Sequence, residues 1–190
     1  LMTIHAAQSI IFNKSLNRRI TSGLPISTPI EGDLVGRIDE KGQLNVNSCV
    51  IVDSRTLPRI TRNCQLGRLV TTGPLPGSET YVAGGESEKI ELSAISDCGL
   101  DEVNWLVEEI PRLSTKGTRR ALVSNFQDMF IDTVPVAVPE TLGEKWNLGP
   151  NDSSRWHPDG ACLRFRFSLS SGSYATTLLR EFMQCPLNQL

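Results

Sequence analysis

The sequence has 190 residues, with 19 lysines and arginines against 21 aspartates and glutamates, and therefore a formal charge of −2. This balance excludes a histone-like polycation, and the 39% hydrophobic content excludes a disordered tract. No apolar run approaches the roughly 18 residues of a transmembrane helix, so we expect a soluble, cytoplasmic protein with no membrane partner. The five scattered cysteines form no Cys-x-x-Cys pair, which favours reduced thiols over disulfides or a zinc site.

The amino-terminal part predicts one helix followed by short strands. From Ile4 to Ile20 apolar residues recur at intervals of three and four, and a following glycine and proline end the pattern, so we predict a first helix there. Short β-branched runs separated by glycine, asparagine and proline then predict strands at residues 34–38, 49–52 and 68–72. The segment Gly73-Pro-Leu-Pro-Gly77 predicts a rigid turn.

The middle of the chain predicts two further helices, two strands and a long connection. Its apolar spacing and its glycine and proline stops predict helices at residues 86–96 and 101–109 and strands at residues 119–126 and 129–134. Residues 135–160 are rich in proline, glycine, asparagine, aspartate and serine, so we expect an exposed connection there.

The clearest local pattern lies near the carboxyl terminus. Four apolar residues alternate with polar ones, which predicts a half-buried strand with a basic outer face: Leu163, Phe165, Phe167 and Leu169. A turn follows at residues 170–173, where a serine hydroxyl is expected to cap the next element. Helical spacing then predicts a helix at residues 174–184, which a proline stops.

The start of this last helix is a candidate binding site. A helix N-terminus presents free backbone N–H groups, an aromatic ring stands beside them at Tyr174, and Arg180 follows less than two turns later. These groups suit a nucleobase and its phosphate. The alternative interpretation is that Tyr174 is a core aromatic that caps the helix and that Arg180 is an exposed charge.

Charges are distributed unevenly along the chain. Residues 79–111 carry nine acidic residues and one lysine, whereas residues 54–78 and residues 112–127 each carry four basic residues and no acid. If the basic segments converge, they form a phosphate-binding face and the acidic segment faces away. The alternative is that all of these charges are merely solvated surface.

Four stretches of the sequence carry a family resemblance. The longest, Phe165-Arg-Phe-Ser-Leu-Ser-Ser-Gly-Ser-Tyr-Ala-Thr-Thr-Leu-Leu-Arg-Glu-Phe182, combines a strand, a turn of small residues and a helix. It is preceded by His5-Ala-Ala-Gln-Ser-Ile-Ile-Phe-Asn13, Thr72-Gly-Pro-Leu-Pro-Gly77 and Leu113-Ser-Thr-Lys-Gly-Thr-Arg-Arg-Ala121. In this order the four stretches resemble the TruD family of tRNA pseudouridine synthases, and the Lys-Gly-Thr-Arg-Arg form is similar to the archaeal and eukaryotic branch.

The resemblance implies an α+β fold and an RNA-modifying activity. Residues 1–122 would form most of an inserted α+β domain peculiar to the family, and residues 123–190 the carboxyl-terminal part of a mixed-sheet catalytic domain. The implied reaction isomerises a tRNA uridine, at position thirteen in the family, to pseudouridine, with tRNA as the partner and with no metal or cofactor. Such a site needs a carboxylate, a flipped base, an aromatic platform and an arginine that keeps the carboxylate ionised.

One part of the family pattern is missing. The family's catalytic aspartate lies in a Gly-x-Lys-Asp motif, followed by an Asn-x-Phe-Gly motif, and this sequence contains neither. We therefore expect a carboxyl-terminal fragment that lacks the amino-terminal part of the same enzyme and that is inactive by itself. The alternatives are a non-catalytic RNA-binding module derived from the synthase fold and a purely structural fragment.

The resemblance also implies roles for individual residues. Tyr174 would be the platform for the target uracil, and Arg180 would be the catalytic partner of the missing aspartate, with a salt bridge from Arg180 to Glu181 as the alternative. For five other residues the implied role is a contact to tRNA or between domains: Gln8, Asn13, Lys116, Arg119 and Arg120. Asn13 could equally hold two helices together.

Overall fold

The computed structural model describes residues 2–108, 110–134, 162–170 and 172–184, so the connection predicted at 135–160 lies outside the described residues. These residues belong to two compact units, 1–124 and 125–190. In chain order the first contains α1 (Met2–Thr21), β1 (Leu34–Ile38), β2 (Leu44–Ile51), α2 (Leu57–Gln65), β3 (Leu69–Leu75), α3 (Gly85–Ser96), a 3₁₀ turn (Pro111–Leu113) and β4 (Thr118–Ala121). The second contains β5 (Phe126–Val134), β6 (Cys162–Leu169) and α4 (Ala175–Met183). This mixture of helices and antiparallel strands confirms the predicted α+β class.

A four-stranded antiparallel sheet, in the order β2-β1-β3-β4, forms the centre of the first unit. Gly73 of β3 pairs with Arg120 of β4. Because this pairing keeps the chain extended to the end of β3, the turn predicted at residues 73–77 is wrong over its first three residues. The strand predicted at residues 119–126 is shorter than expected, because β4 ends where its pairing with β3 ends.

Two predicted helices of the first unit, α1 and α3, are confirmed, with bounds that differ from the prediction by at most two residues. The helices α1 and α3 pack against each other, and α1 also contacts β3. Ile11 and Phe12 of α1 and Ile90 and Ala94 of α3 are buried. Among the described residues, no helix is long and apolar enough to cross a membrane.

No helix is predicted at α2, although the sequence contains a signal for one. Only Ile60 of this helix is fully buried, and the half-buried Leu57 and Cys64 pack with it against Val35 and Val52. These three residues are three and four positions apart, which is helical spacing, but nine residues are too few for a helix that is stable by itself. The helix is therefore stabilised mainly by tertiary packing against the sheet.

The helix predicted at residues 101–109 is wrong for the described part of that segment, which forms turns. The Asn104 carboxamide oxygen accepts a hydrogen bond from the Leu106 amide at 3.0 Å, and the Ser114 hydroxyl accepts one from the Val107 amide at 2.9 Å. These side chains compete for backbone amides that a helix would otherwise pair with its own carbonyls.

The described part of the second unit is an antiparallel pair of strands with one helix. The predicted alternation is confirmed in β6 from Arg164 to Leu169, where Phe165 and Phe167 are half-buried and Arg164 and Arg166 are exposed. It is wrong for Leu163, which is 61% exposed. The helix predicted at the carboxyl end is confirmed as α4. It packs on β6 through the rings of Phe165 and Phe182, whose centroids are 5.3 Å apart.

Three cysteines of the first unit are free and half-buried: Cys49, Cys64 and Cys98. Burial raises the pKa of the Cys49 and Cys64 thiols above the ordinary value. Both are therefore protonated at neutral pH, and because the thiolate is the reactive form, neither is an activated nucleophile.

Candidate functional site

Tyr174 stands at the entrance to α4. Its backbone is extended, with φ −107° and ψ 117°, and its carbonyl accepts a hydrogen bond from the Thr177 amide at 3.1 Å, which begins the helix. The side chain is 60% exposed. An exposed ring at this point is available to stack on a base, whereas a core aromatic would be covered.

The turn before Tyr174 differs from the sequence expectation in one detail. Tyr174 itself occupies the N-cap position, and no side chain caps the helix, so the prediction that a serine hydroxyl does so is wrong. The hydroxyls of Ser170 and Ser173 instead lie 3.0 Å apart and share a hydrogen bond. Gly172 has φ +85°, a conformation that glycine adopts without strain.

Arg180 lies on the same helix as Tyr174. It is half-buried and follows Tyr174 by six residues, a rise of roughly 9 Å along the axis. Within residues 125–134, 162–170 and 172–184, no carboxylate lies within ion-pair distance of the Arg180 guanidinium, and the alternative salt bridge to Glu181 is not formed. Its donors are therefore not engaged by any acidic side chain of the described second unit.

The two arginines of β6 differ in how far their charge is neutralised. Arg164 forms an ion pair with Asp132 and holds the pKa of that carboxyl below its usual range, chiefly by hydrogen bonding. The Arg166 guanidinium lies over the Phe130 ring, 4.5 Å from its centroid. Of these two arginines, Arg166 forms no ion pair within the described second unit, so its charge is the one available to a phosphate group.

Three stretches that carry the family resemblance meet in the first unit. Gln8 on α1 is buried, and its Nε2 donates to the Pro76 carbonyl at 2.8 Å and to the Thr115 hydroxyl at 3.2 Å. The Arg120 guanidinium lies 5.1 Å from the centroid of the Phe12 ring. Gln8 therefore holds the three stretches together, a role that its type and spacing in the sequence did not reveal.

Arg119 is almost fully buried, at 3% exposure. Two of its N–H groups donate to the Glu91 carboxylate at 2.6 and 2.8 Å. The others donate to the Thr72 hydroxyl and carbonyl and to the Tyr81 carbonyl. Because an arginine has five N–H donors and all five have acceptors here, none remains for a phosphate. The expectation that Arg119 contacts tRNA is therefore not supported by its surroundings, and its contacts are structural.

The other sequence-derived candidates of the first unit remain closer to solvent. Lys116 is exposed and forms an ion pair with Glu79 at 3.2 Å. Arg120 is half-buried, and Asn13 is exposed on α1. Of the seven candidates, Tyr174 and Arg180 lie in the second unit, at the N-cap and within α4, and the other five lie in the first unit.

A second buried ion pair, not predicted from the sequence, joins Arg19 to Asp33. The guanidinium donates to both carboxylate oxygens, at 2.6 and 2.7 Å, and the Ile30 amide donates to the same carboxylate at 2.8 Å. The Ser87 hydroxyl of α3 also donates to Asp33. One sequence signal existed: Arg19 lies at helical spacing from the buried Phe12, on the face of α1 that meets the core.

These ion pairs revise the expected charge distribution. The acidic segment 79–111 does not face away from the basic segment 112–127, because Arg119 pairs with Glu91 and Lys116 pairs with Glu79. Arg18 of α1 pairs with Asp97 of the same acidic segment. Arg18 also lowers the pKa of the Asp97 carboxyl. Part of the charge segregation in the sequence therefore serves contacts within the first unit.

Comparison with known proteins decides the family. The profile of the family described as tRNA pseudouridine synthase D (TruD) matches residues 1–182. The chain belongs to the TruD family. This confirms the resemblance, whereas the assignment of residues 1–122 and 123–190 to inserted and catalytic domains stays a prediction.

Several archaeal proteins are similar in sequence or structure to this TruD-family chain. The probable tRNA pseudouridine synthase D of Methanosarcina mazei is 35% identical over 183 residues, and that of Natronomonas pharaonis is 30% identical over 184 residues, each match covering 96% of this chain. A crystal structure of the Methanosarcina mazei TruD matches 98% of the chain with a TM-score of 0.72 and 31% identity. The chain spans 37% and 35% of the length of the two curated relatives and 38% of the crystallised one.

Proposed function

We propose that this chain forms part of a cytoplasmic tRNA pseudouridine synthase, an isomerase that converts uridine-13 of tRNA to pseudouridine. The match to the TruD family over residues 1–182 is the observation that carries the proposal. Because the sequence contains no Gly-x-Lys-Asp motif, the nucleophilic aspartate in this proposal comes from outside these residues.

The proposed reaction requires a surface on which the displaced uracil can stack, and the start of α4 can provide one. The bond between ribose and uracil nitrogen breaks, and the base is rejoined through carbon 5. The hydrogen of carbon 5 leaves as a proton and the released ring nitrogen takes up a proton, so the product is an isomer. The uracil must first leave the base stack, which requires a surface that replaces its lost stacking. Tyr174, exposed at the start of α4, supplies that surface in this proposal.

Arg180 serves as a positioning residue in this proposal. Its half-buried guanidinium has no acidic partner within the described part of the second unit, so its donors are available to the aspartate that the chain lacks. An arginine beside an aspartate favours the ionised form, which is the form that attacks the ribose or the base. Arg180 therefore acts through the aspartate rather than on the uracil.

Replacement of Arg180 tests this role in a complete enzyme that contains the chain. We expect Arg180→Ala to move the acid limb of the pH–rate profile upward by about 1 to 3 units, because the aspartate loses its cation, and therefore to lower turnover by at least about 10-fold on the acid side of that limb. Arg180→Lys, which keeps a positive charge, should move the limb less. Equal losses at every pH in both variants would show that Arg180 has only a structural role.

The chain by itself provides the direct test of the missing nucleophile. We expect the purified 190-residue polypeptide to release no tritium above background from tRNA labelled at carbon 5 of uridine, because it offers no aspartate in the family motif. The Methanosarcina mazei relative serves as the positive control for the assay. Turnover by the chain alone would contradict the proposal that the nucleophile lies elsewhere.

A tritium-release assay of a complete protein that contains this chain distinguishes a pseudouridine synthase from a non-catalytic RNA-binding module. Tritium release by that protein supports the synthase. If it binds tRNA with normal affinity but releases no tritium, the alternative of a non-catalytic RNA-binding module replaces the proposed reaction.

A further inference from the structure

Some basic side chains of the first unit form ion pairs with carboxylates, and others do not. Five basic residues form ion pairs with carboxylates: Arg18 with Asp97, Arg19 with Asp33, Lys89 with Glu86, Lys116 with Glu79 and Arg119 with Glu91. In contrast, Arg59 and Arg62 of α2 and Arg68 just after it are exposed and form no ion pair within residues 2–108 and 110–124. We call these three residues the α2 arginine cluster.

The packing of α2 orients this cluster toward solvent. Leu57, Ile60 and Cys64 form the face that packs on the sheet. At 3.6 residues per turn, Arg59 and Arg62 lie on the opposite side of the helix and are neighbours on its surface. The helix is therefore held by its apolar face while both guanidinium groups remain accessible.

Arg68 extends the cluster beyond the helix. Its amide donates to the Asn63 carbonyl at 2.9 Å, and the Asn63 side chain donates to the Arg59 carbonyl at 2.8 Å. Gly67, with φ +66°, allows the tight turn that places Arg68 directly after the helix. The three arginines thus share one short, ordered segment.

The nearest acidic residue in the sequence does not neutralise the cluster. The Asp53 carboxylate accepts hydrogen bonds from the Thr56 amide at 2.7 Å and from the Thr56 hydroxyl at 2.9 Å, and these bonds lower its pKa. Arg55 is the arginine that acts on this carboxylate. On the inner side of α2, Asp33 is paired with Arg19. At the helix itself, one carboxylate, Asp53, stands against Arg55, Arg59 and Arg62, so this part of the surface stays positive. Arg68 lies closer to acidic residues, because its carbonyl accepts a hydrogen bond from the Ile38 amide at 3.3 Å and Asp39 and Glu40 follow Ile38.

The position of Arg59 is not explained by helix stability. The first turn of α2 contains no acidic residue and carries Arg59 instead. A cation near a helix N-terminus opposes the helix dipole and is destabilising by about 0.3 to 1 kcal/mol. A ligand with negative charge at this surface would reverse that effect.

We propose that the α2 arginine cluster contacts the phosphate backbone of the tRNA. This rests on the proposed function, which supplies RNA as the ligand, and it identifies a surface of the first unit that the family resemblance did not indicate. Guanidinium groups bind phosphates through paired N–H donors, and exposed guanidiniums with no ion pair need lose no internal partner to do so. The contact is independent of sequence, because phosphates carry no sequence information.

The double variant Arg59→Gln/Arg62→Gln tests the proposal. We expect the slope of log K against log salt for tRNA binding to become shallower by about 1.4 to 1.8, and the affinity at 0.1 M salt to fall on the order of 30-fold, if each arginine contacts one phosphate. The measurement is fluorescence anisotropy of labelled tRNA between about 0.05 and 0.3 M salt. The matched control is Lys41→Gln/Lys89→Gln, which removes the same charge from two exposed residues of the first unit.

An unchanged salt slope in the arginine double variant, or an equal change in the lysine control, would overturn the proposal. A loss of binding to poly-glutamate without a loss of tRNA binding would also overturn it, in favour of an acidic protein partner. Pseudouridine formation by the complete enzyme is a separate readout. If the salt slope changes as expected but the complete protein forms no pseudouridine, only the proposed reaction is rejected. If the complete protein forms pseudouridine but the salt slope is unchanged, only the proposed role of the α2 arginine cluster is rejected.

Discussion

We expect Arg19→Met to lower the free energy of unfolding by about 3 to 5 kcal/mol and the melting temperature by about 10 °C, because a buried ion pair loses one partner. The reason is geometric. The side chains of Arg19 and Asp33 are only 6% and 1% exposed, so water cannot replace the lost guanidinium at the carboxylate. The measurement is thermal and urea unfolding of the protein followed by circular dichroism.

Two further variants separate the buried charge from other effects. Lys89→Met removes a cation from an ion pair whose side chains are 74% and 54% exposed, and we expect it to change stability by less than about 1 kcal/mol. Arg19→Met/Asp33→Asn removes both buried charges and keeps an oxygen for the Ile30 amide, so it should be more stable than Arg19→Met alone. If Arg19→Met is as mild as Lys89→Met, the pair does not stabilise the first unit.

In a complete enzyme that contains this chain, we expect Tyr174→Ala to lower turnover by roughly 10- to 100-fold and Tyr174→Phe to keep most of the activity. Stacking needs the ring and not the hydroxyl, and one stacked base contributes about 1 to 3 kcal/mol. The exposure of the ring at the start of α4 is the structural basis for this expectation. Single-turnover tritium release from tRNA measures the effect at the chemical step.

Unfolding experiments on the same two variants control for packing. A residue that is 60% exposed contributes little to a core, so we expect the melting temperature to stay within about 2 °C of the wild type. The assignment of Tyr174 as the stacking platform is wrong if Tyr174→Ala lowers the melting temperature but leaves single-turnover rates intact. Tyr174 would then be a packing residue of the second unit.

Local patterns were sufficient for several elements and for the family. Helical spacing predicted α1, α3 and α4, and alternation predicted β6, because each pattern repeats over enough residues to be independent of its surroundings. The four motif stretches indicated the TruD family, which the match to residues 1–182 confirms. The same reasoning placed Tyr174 at the start of the last helix and Arg180 on that helix, and their roles stay predictions.

The structure of several short segments could not be predicted from the sequence. The apolar spacing of α2 is helical, but it covers only nine residues between two β-branched runs that predict strands. The Gly73-Pro-Leu segment looks like a turn, but β4 pairs with it and extends it. In the 101–109 segment, side-chain hydrogen bonds to backbone amides replace the predicted helix. In each case a contact with another element, or with a local side chain, overrides the local propensity.

By itself the sequence determined the numbers of charges and their order along the chain, but only the tertiary structure decided which charges are neutralised. Arg19 and Arg119 find their carboxylates 14 and 28 residues away, and both pairs are buried. Arg59 and Arg62 lie on the solvent side of α2 and find none within the described part of the first unit. Ion pairing depends on distances of a few ångströms in space, and linear spacing does not set those distances for residues on different elements.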